Sequence, residues 1–271
     1  VAICETRNGF HGTPNRAYCI HPSSMRILTL TDDCPPFALG GSGRIAWETS
    51  IGLARVGHEV HLLTAAPPTV FPPLHENVHI HTIPLLPKRW AHYRAVFGVK
   101  RAREVLEIIT MVRPDLIHAH GLAWQMGYRW IPVAARQGIP VVYTAHGVMH
   151  VAYGKVTGKE RSLLLSDLRR ARWEFNPFRN RMIRRMLGQC SRILSVSDAL
   201  REYLEQWGYT NMTTIRNGID LSFWDAESTQ AEARRNANGN ARSVEFRDGS
   251  SNQTGLPDEC ADIVTCSQAL H

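Results

Sequence analysis

No apolar run in this 271-residue chain is long enough to span a bilayer, and its first residues lack the apolar core of a secretory signal. An integral membrane protein is therefore not expected, and the cytoplasm is the default compartment. Paired C-x-x-C knuckles are also missing. Cys4, Cys19, Cys34, Cys190, Cys260 and Cys266 are scattered, which argues against a zinc knuckle or a small disulfide framework and leaves reduced thiols. An acidic surplus is absent too: 31 Lys and Arg against 24 Asp and Glu give a net charge of +7. What is present is 44% hydrophobic residues, enough to bury one large core or two smaller ones.

The positive charge is concentrated. Between Lys155 and Arg192 eleven Lys or Arg stand against Glu160, Asp167 and Glu174, so the partner facing this region should be anionic. Arg181, Arg184 and Arg185 flank Met182, Ile183, Met186 and Leu187, a pairing that suits an interfacial helix on an anionic membrane surface. The plainer alternative is a solvated basic face over an ordinary core contact. An anionic glycan is a further candidate for this surface; nucleic acid is not an expected partner.

The chain is organised around Met25 to Gly57. Arg26 to Thr31 is a β-rich apolar run of the kind that makes a buried parallel strand, and Trp47, Ile51 and Ala54 have helical spacing from Ile45 to Arg55. Between them Pro35, Pro36 and the cluster Gly40-Gly41-Ser42-Gly43 predict a sharp loop with backbone N–H groups facing an anion at the helix start. Gly41-x-Gly43-x-x-Ala46 also fits a dinucleotide fingerprint. That reading fails on spacing, because Gly41 comes ten positions after Thr31, and no acidic residue ends the second strand to hold a ribose.

Strand and helix then alternate, which implies parallel strands joined by right-handed crossovers. Strands are expected at Glu59 to Leu63, Val78 to Ile83, Asp115 to His120, Ile139 to Thr144, Ile193 to Val196 and Thr213 to Ile215. Helices are expected through Val105, Ile108 and Ile109, around Met126 to Arg136, and after Ser197, whose hydroxyl followed by Asp198 is a good N-cap and first-turn anion. Residues 1–24 show neither periodicity nor capping and predict a disordered leader, with Met25 placed as a natural start would be.

With these pieces in order, Met25 to about Asp225 resembles the N-terminal half of family 4 glycosyltransferases, which have the GT-B fold. The matching residues are Gly40-Gly41-x-x-Arg44, Gly57-His58-Glu59-Val60, Arg113-Pro114-Asp115-Leu116-Ile117-His118-Ala119-His120, Thr144-Ala145-His146-Gly147, Ser195-Val196-Ser197 and Asn217-Gly218-Ile219-Asp220. The resemblance implies an α/β, Rossmann-like doubly wound parallel sheet over 25–225. It implies that Gly40, Gly41, Ser42, Gly43 and Arg44 approach the donor diphosphate and the reacting sugar, that His146 is the catalytic imidazole near the transferred sugar, and that His120, Ser197, Asn217 and Gly218 help bind donor or acceptor. The donor would be a nucleotide sugar and the acceptor a glycan or a lipid-linked molecule, the latter placing the protein at the inner membrane face. No cofactor and no bound metal are required for transfer in this family. His118 and His120 alternate as a metal pair might, yet no third ligand stands at a supporting spacing, so a structural or acceptor-side role is expected.

The resemblance does not reach the donor-binding half of a GT-B enzyme, since 46 residues follow Asp225. This predicts an acceptor-side domain that is inactive alone. Residues 226–271 resemble instead a fragment of a class I S-adenosylmethionine-dependent methyltransferase, with Asp248 near the adenine and Asp262 opening the next strand. Its glycine-rich loop and ribose-binding strand are not present, so the segment should be an incomplete α/β tail, loosely held, with S-adenosylmethionine binding expected to fail. The sequence thus reads as two truncated enzymes joined near Asp220 to Glu227. A non-catalytic module binding an anionic membrane surface or glycan remains the rival from another class.

Overall fold

The computed structural model describes residues 24–37, 41–67, 71, 75–122, 124–153, 167, 169 and 171–218. The expected leader up to residue 23, Gly40, residues 154–166 and everything beyond Gly218, with Asp248 and Asp262, lie outside these. Ser24, assigned to the leader from sequence, is tied to the fold: its hydroxyl donates to the Gly57 carbonyl at 2.9 Å.

Seven strands form one fully parallel sheet: β1 (Arg26–Thr31), β2 (Glu59–Ala65), β3 (Val78–Ile83), β4 (Leu116–His120), β5 (Val141–Ala145), β6 (Arg192–Ser195) and β7 (Met212–Thr214), in the order β3-β2-β1-β4-β5-β6-β7. Strand β1 is buried along nearly its whole length, as a central parallel strand must be when helices cover both faces. The helices with described bounds are α1 (Gly41–Arg55), α2 (Ala91–Phe97), α3 (Val99–Val112), α4 (Ile131–Arg136), α5 (Arg179–Leu187) and α6 (Asp198–Gln206). Alternation along β2 separates the two layers. Val60 packs with Ala54 of α1, whereas Leu63 joins Leu28, Leu30 and the α3 residues Val105 and Ile109. The predicted doubly wound sheet is thereby the observed one.

Three elements depart from the sequence reading. Helix α1 begins at Gly41 rather than Ile45, so the described glycines are its first turn and not a loop. The helix expected from Met126 begins only at Ile131. Gly127 explains this: it is left-handed at φ 63°, a Cβ there would lie 2.8 Å from the Ala95 carbonyl oxygen, and the Tyr128 N–H donates to that same oxygen. Helix α2, whose C-terminal neighbour Gly98 marks the break before α3, was not expected at all.

Candidate functional site

The strand order reverses between β1 and β4, and in open α/β sheets ligands bind at the carboxyl ends of the strands at such a point. Here the chain leaves β1 through Asp32 and Asp33 and enters α1. Its first turn has N–H groups without intrahelical acceptors and carries the positive end of the helix dipole. Next door the chain leaves β4 through Gly121, left-handed at φ 53°. A Cβ on Gly121 would stand 3.3 Å from Ser42 Cβ and 3.7 Å from His146 Cδ2. That single position brings together the start of α1, the end of β4 and the residue following β5. Ser42 and His146, a hundred residues apart in sequence, flank one bare backbone position.

The histidines form a row across this edge. His118 Nε2 lies 2.8 Å from Thr144 Oγ1, and His120 Nδ1 lies 3.1 Å from His146 Nε2. Burial pushes His118 and His146 down to about 4, the neighbouring His118 adding to the effect on His146, and holds His120 well below its ordinary value. All three are neutral at pH 7. The tautomer follows from His120 Nε2, which is buried without a partner. An orphaned N–H there costs more than an orphaned lone pair, so His120 carries its proton on Nδ1 and donates it to His146 Nε2. His146 then bears its own proton on Nδ1 and can donate a hydrogen bond from a neutral ring.

Two carboxylates in the same corner were not singled out from sequence. Asp32 accepts from the backbone N–H groups of Trp124 at 2.5 Å and Met126 at 2.9 Å, fixing the turn after β4 to the end of β1. Asp33 packs against α1, and its carboxyl is pushed up by burial and then by Asp32. The signal that would have found them is position: an acidic pair directly after a strand's C-terminus, in the crevice where ligands sit.

Other expected site residues have different partners. Arg44 pairs with Glu48 one turn along α1. Ser197 is the N-cap of α6, accepting from the Leu200 N–H at 3.2 Å, an interaction worth about 1 kcal/mol. Asn217 and Gly218 follow β7, which lies two strands from β5 in the sheet. The interfacial-helix expectation for α5 needs correction. Ile183 and Leu187 are buried in the main core with Met182 and Met186 against it, and the helix packs with α2 and α4; Arg181, Arg184 and Arg185 are exposed. One member of the basic stretch is internal: Arg179 stacks on Tyr153 at 4.5 Å and donates to the Met149 carbonyl at 2.6 Å. Among the described residues no helix is long and apolar enough to cross a membrane.

The profile of Glycosyltransferase Family 4 matches residues 39–223. A glycogen synthase of Mycobacterium tuberculosis (strain H37Rv) is 25% identical over 218 residues, 74% of this chain and 50% of that protein. The chain thus spans about half the length of the curated relatives it matches. Among solved structures, a glycosyltransferase from Rickettsia africae is similar at 16% identity and a TM-score of 0.44, over 82% of this chain and 52% of the other. The catalytic domain of starch synthase IV from Arabidopsis thaliana, bound to ADP and acarbose, is similar at 17% identity and a TM-score of 0.48, over 75% and 53%. None of these matches extends to a methyltransferase reading of the tail.

Proposed function

The chain belongs to glycosyltransferase family 4, and we propose that residues 25–225 are the acceptor-side domain of an enzyme that moves a sugar from a nucleotide-sugar donor to a glycan or lipid-linked acceptor. The observation that carries this reading is the meeting of Ser42, Gly121 and His146 at the switch point. A bare glycine lets a ligand approach the backbone closely, the first turn of α1 offers N–H groups and positive potential to a diphosphate, and the His146 ring offers a donor to a sugar hydroxyl. The ring is neutral at working pH. Its role is to orient and to stabilise charge by hydrogen bonding, with no net proton transfer required of it.

Transfer needs donor and acceptor held in one closed site. The 271 residues by themselves are therefore expected to turn over no nucleotide sugar, whereas a two-domain protein containing them should. In that longer protein His146→Ala is expected to lower kcat by about 10²–10³ with a small change in KM, the size typical of losing one preorganised donor. Radiolabelled sugar transfer read across UDP-, ADP- and GDP-sugars is the assay. Robust turnover by the 271-residue chain, or full activity in the alanine variant, contradicts the proposal.

Peripheral contact with an anionic surface, as a lipid-linked acceptor requires, would rest on exposed basic residues such as Arg181, Arg184 and Arg185, since the apolar side of α5 is committed to the core. Such binding is electrostatic and should fade as salt shortens the screening length. Cosedimentation with anionic vesicles that is unchanged when all three become glutamine removes the idea.

A further inference from the structure

At the opposite end of the sheet a second histidine cluster lies outside the transfer site. Strand β2 places Glu59 and His61 on one face by their two-residue spacing, and β3 places His79 and His81 likewise, with His61 and His79 in register as neighbours. One ligand atom from each of Glu59, His61 and His79 lies within 4.8 Å of the others. His61 Nε2 is 3.0 Å from Glu59 Oε1, while its Nδ1 is 2.8 Å from His81 Nε2. The His61 ring lies 5.0 Å from that of His79 and 5.1 Å from that of His81.

We propose that Glu59, His61 and His79 bind a divalent transition-metal ion of the zinc class, with His81 as the hydrogen-bond partner that orients His61. Two imidazoles and one carboxylate form a donor set suited to zinc, copper or nickel and unlike the all-oxygen shells of magnesium or calcium. A tetrahedral ion about 2.0–2.1 Å from its ligands sets them roughly 3.3 Å apart. The His61 to Glu59 separation already approximates that value. The third side chain, His79, is exposed, with a ligand atom within 4.8 Å of those of Glu59 and His61, and leaves an open entry path.

The arrangement around these ligands is the one metal sites use to set tautomer and orientation. With His61 Nε2 turned toward Glu59 and the ion, its Nδ1–H donates to His81, and the other oxygen of Glu59 is held by Arg26 Nε at 3.1 Å. Three protein ligands leave the fourth position to water. Among the described residues β3 is an edge strand bonded to β2, so an ion here staples it to the sheet, well away from the strand C-termini where transfer is placed.

The test is zinc chloride titrated into the full chain with accessible thiols alkylated, followed by calorimetry and thermal unfolding. One ion per chain with micromolar or tighter affinity and a rise in Tm is expected. His79→Gln, at an exposed position whose folding is checked by far-UV circular dichroism, should weaken binding at least 100-fold. His81→Phe should weaken it about 10–100-fold through loss of the orienting bond. His146→Gln should leave affinity unchanged, because it alters only the other cluster. No binding by 100 μM zinc, equal affinity in His79→Gln, or loss in His146→Gln each overturns the assignment.

Discussion

Lowering the pH from 7 is expected to unfold this domain cooperatively between about pH 6 and 4.5, before most carboxylates titrate. His150 is pushed down to about 3 by burial and then by Arg179, His118 and His146 down to about 4 by burial, and His120 well below its ordinary value for the same reason. In the unfolded chain each titrates near 6.5. Above that value both states are neutral and the contribution to stability is complete. Below it the unfolded chain binds more protons than the native one, so stability falls with pH until the folded pKa is reached. One group carried from about 6.5 to 4 represents roughly 3 kcal/mol. The three groups at about 4 or below, with His120 shifted in the same direction, rival the whole stability of a domain, about 5–15 kcal/mol. Tryptophan fluorescence and near-ultraviolet circular dichroism followed from pH 8 to 4 provide the check. Replacing His150 by Phe should move the midpoint to lower pH. Its ring lies edge-on to Tyr143 at 6.0 Å and Tyr209 at 5.0 Å, and its Nε2 has no partner, so a phenyl ring suits the space. Unfolding confined to below pH 3.5 would show that these imidazoles are not buried in neutral form.

The burial of histidines on which this expectation rests is also where sequence reading was weakest. His118, His120 and His146 were each visible in motifs, but a motif does not state which ring nitrogen meets which. The contact between His120 and His146 depends on β4 and β5 being neighbours in register, with His120 opposite Thr144. Strands were legible because burial on both faces leaves continuous apolar runs such as Ile27 to Thr31 and Ile193 to Ser195. Their boundaries moved by one or two residues because ladder bonds, not composition, decide the ends; Pro140, for instance, still accepts from the Ile117 N–H at 2.9 Å. Helix α2 was masked by the charge of Lys88, Arg89 and Arg94 around its start. Arg179 shows the converse error. Counted as surface charge from sequence, it is almost fully buried, with Tyr153 beneath its guanidinium and the Met149 carbonyl accepting from it.

The glycine cluster at the start of α1 is expected to separate into two functions when its members are substituted one at a time. A Cβ on Gly43 would lie 2.3 Å from the Asp33 carbonyl oxygen and 2.7 Å from Asp33 Oδ1, distances at which the neighbouring backbone must move. Its backbone is helical, so the demand for glycine comes from packing of α1 against the loop after β1. Gly43→Ala should destabilise by about 1–3 kcal/mol through overpacking, and Gly43→Val by more. For a domain of this size that is a fall in Tm of roughly 2–4 °C for each kcal/mol. Gly41 stands in the same motif, and among the described residues no atom beyond its chain neighbours and its own helix backbone lies within 4 Å of its Cβ position. Gly41→Ala should therefore leave Tm unchanged or raise it, because alanine is the better helix former by up to about 1 kcal/mol. If that open space is kept for a diphosphate, the same variant should bind UDP-sugar at least tenfold more weakly in the two-domain protein. Equal melting temperatures for Gly41→Ala and Gly43→Ala would refute the packing argument. Unchanged donor affinity in Gly41→Ala would instead detach the first turn of α1 from the donor phosphates while leaving the fold argument standing.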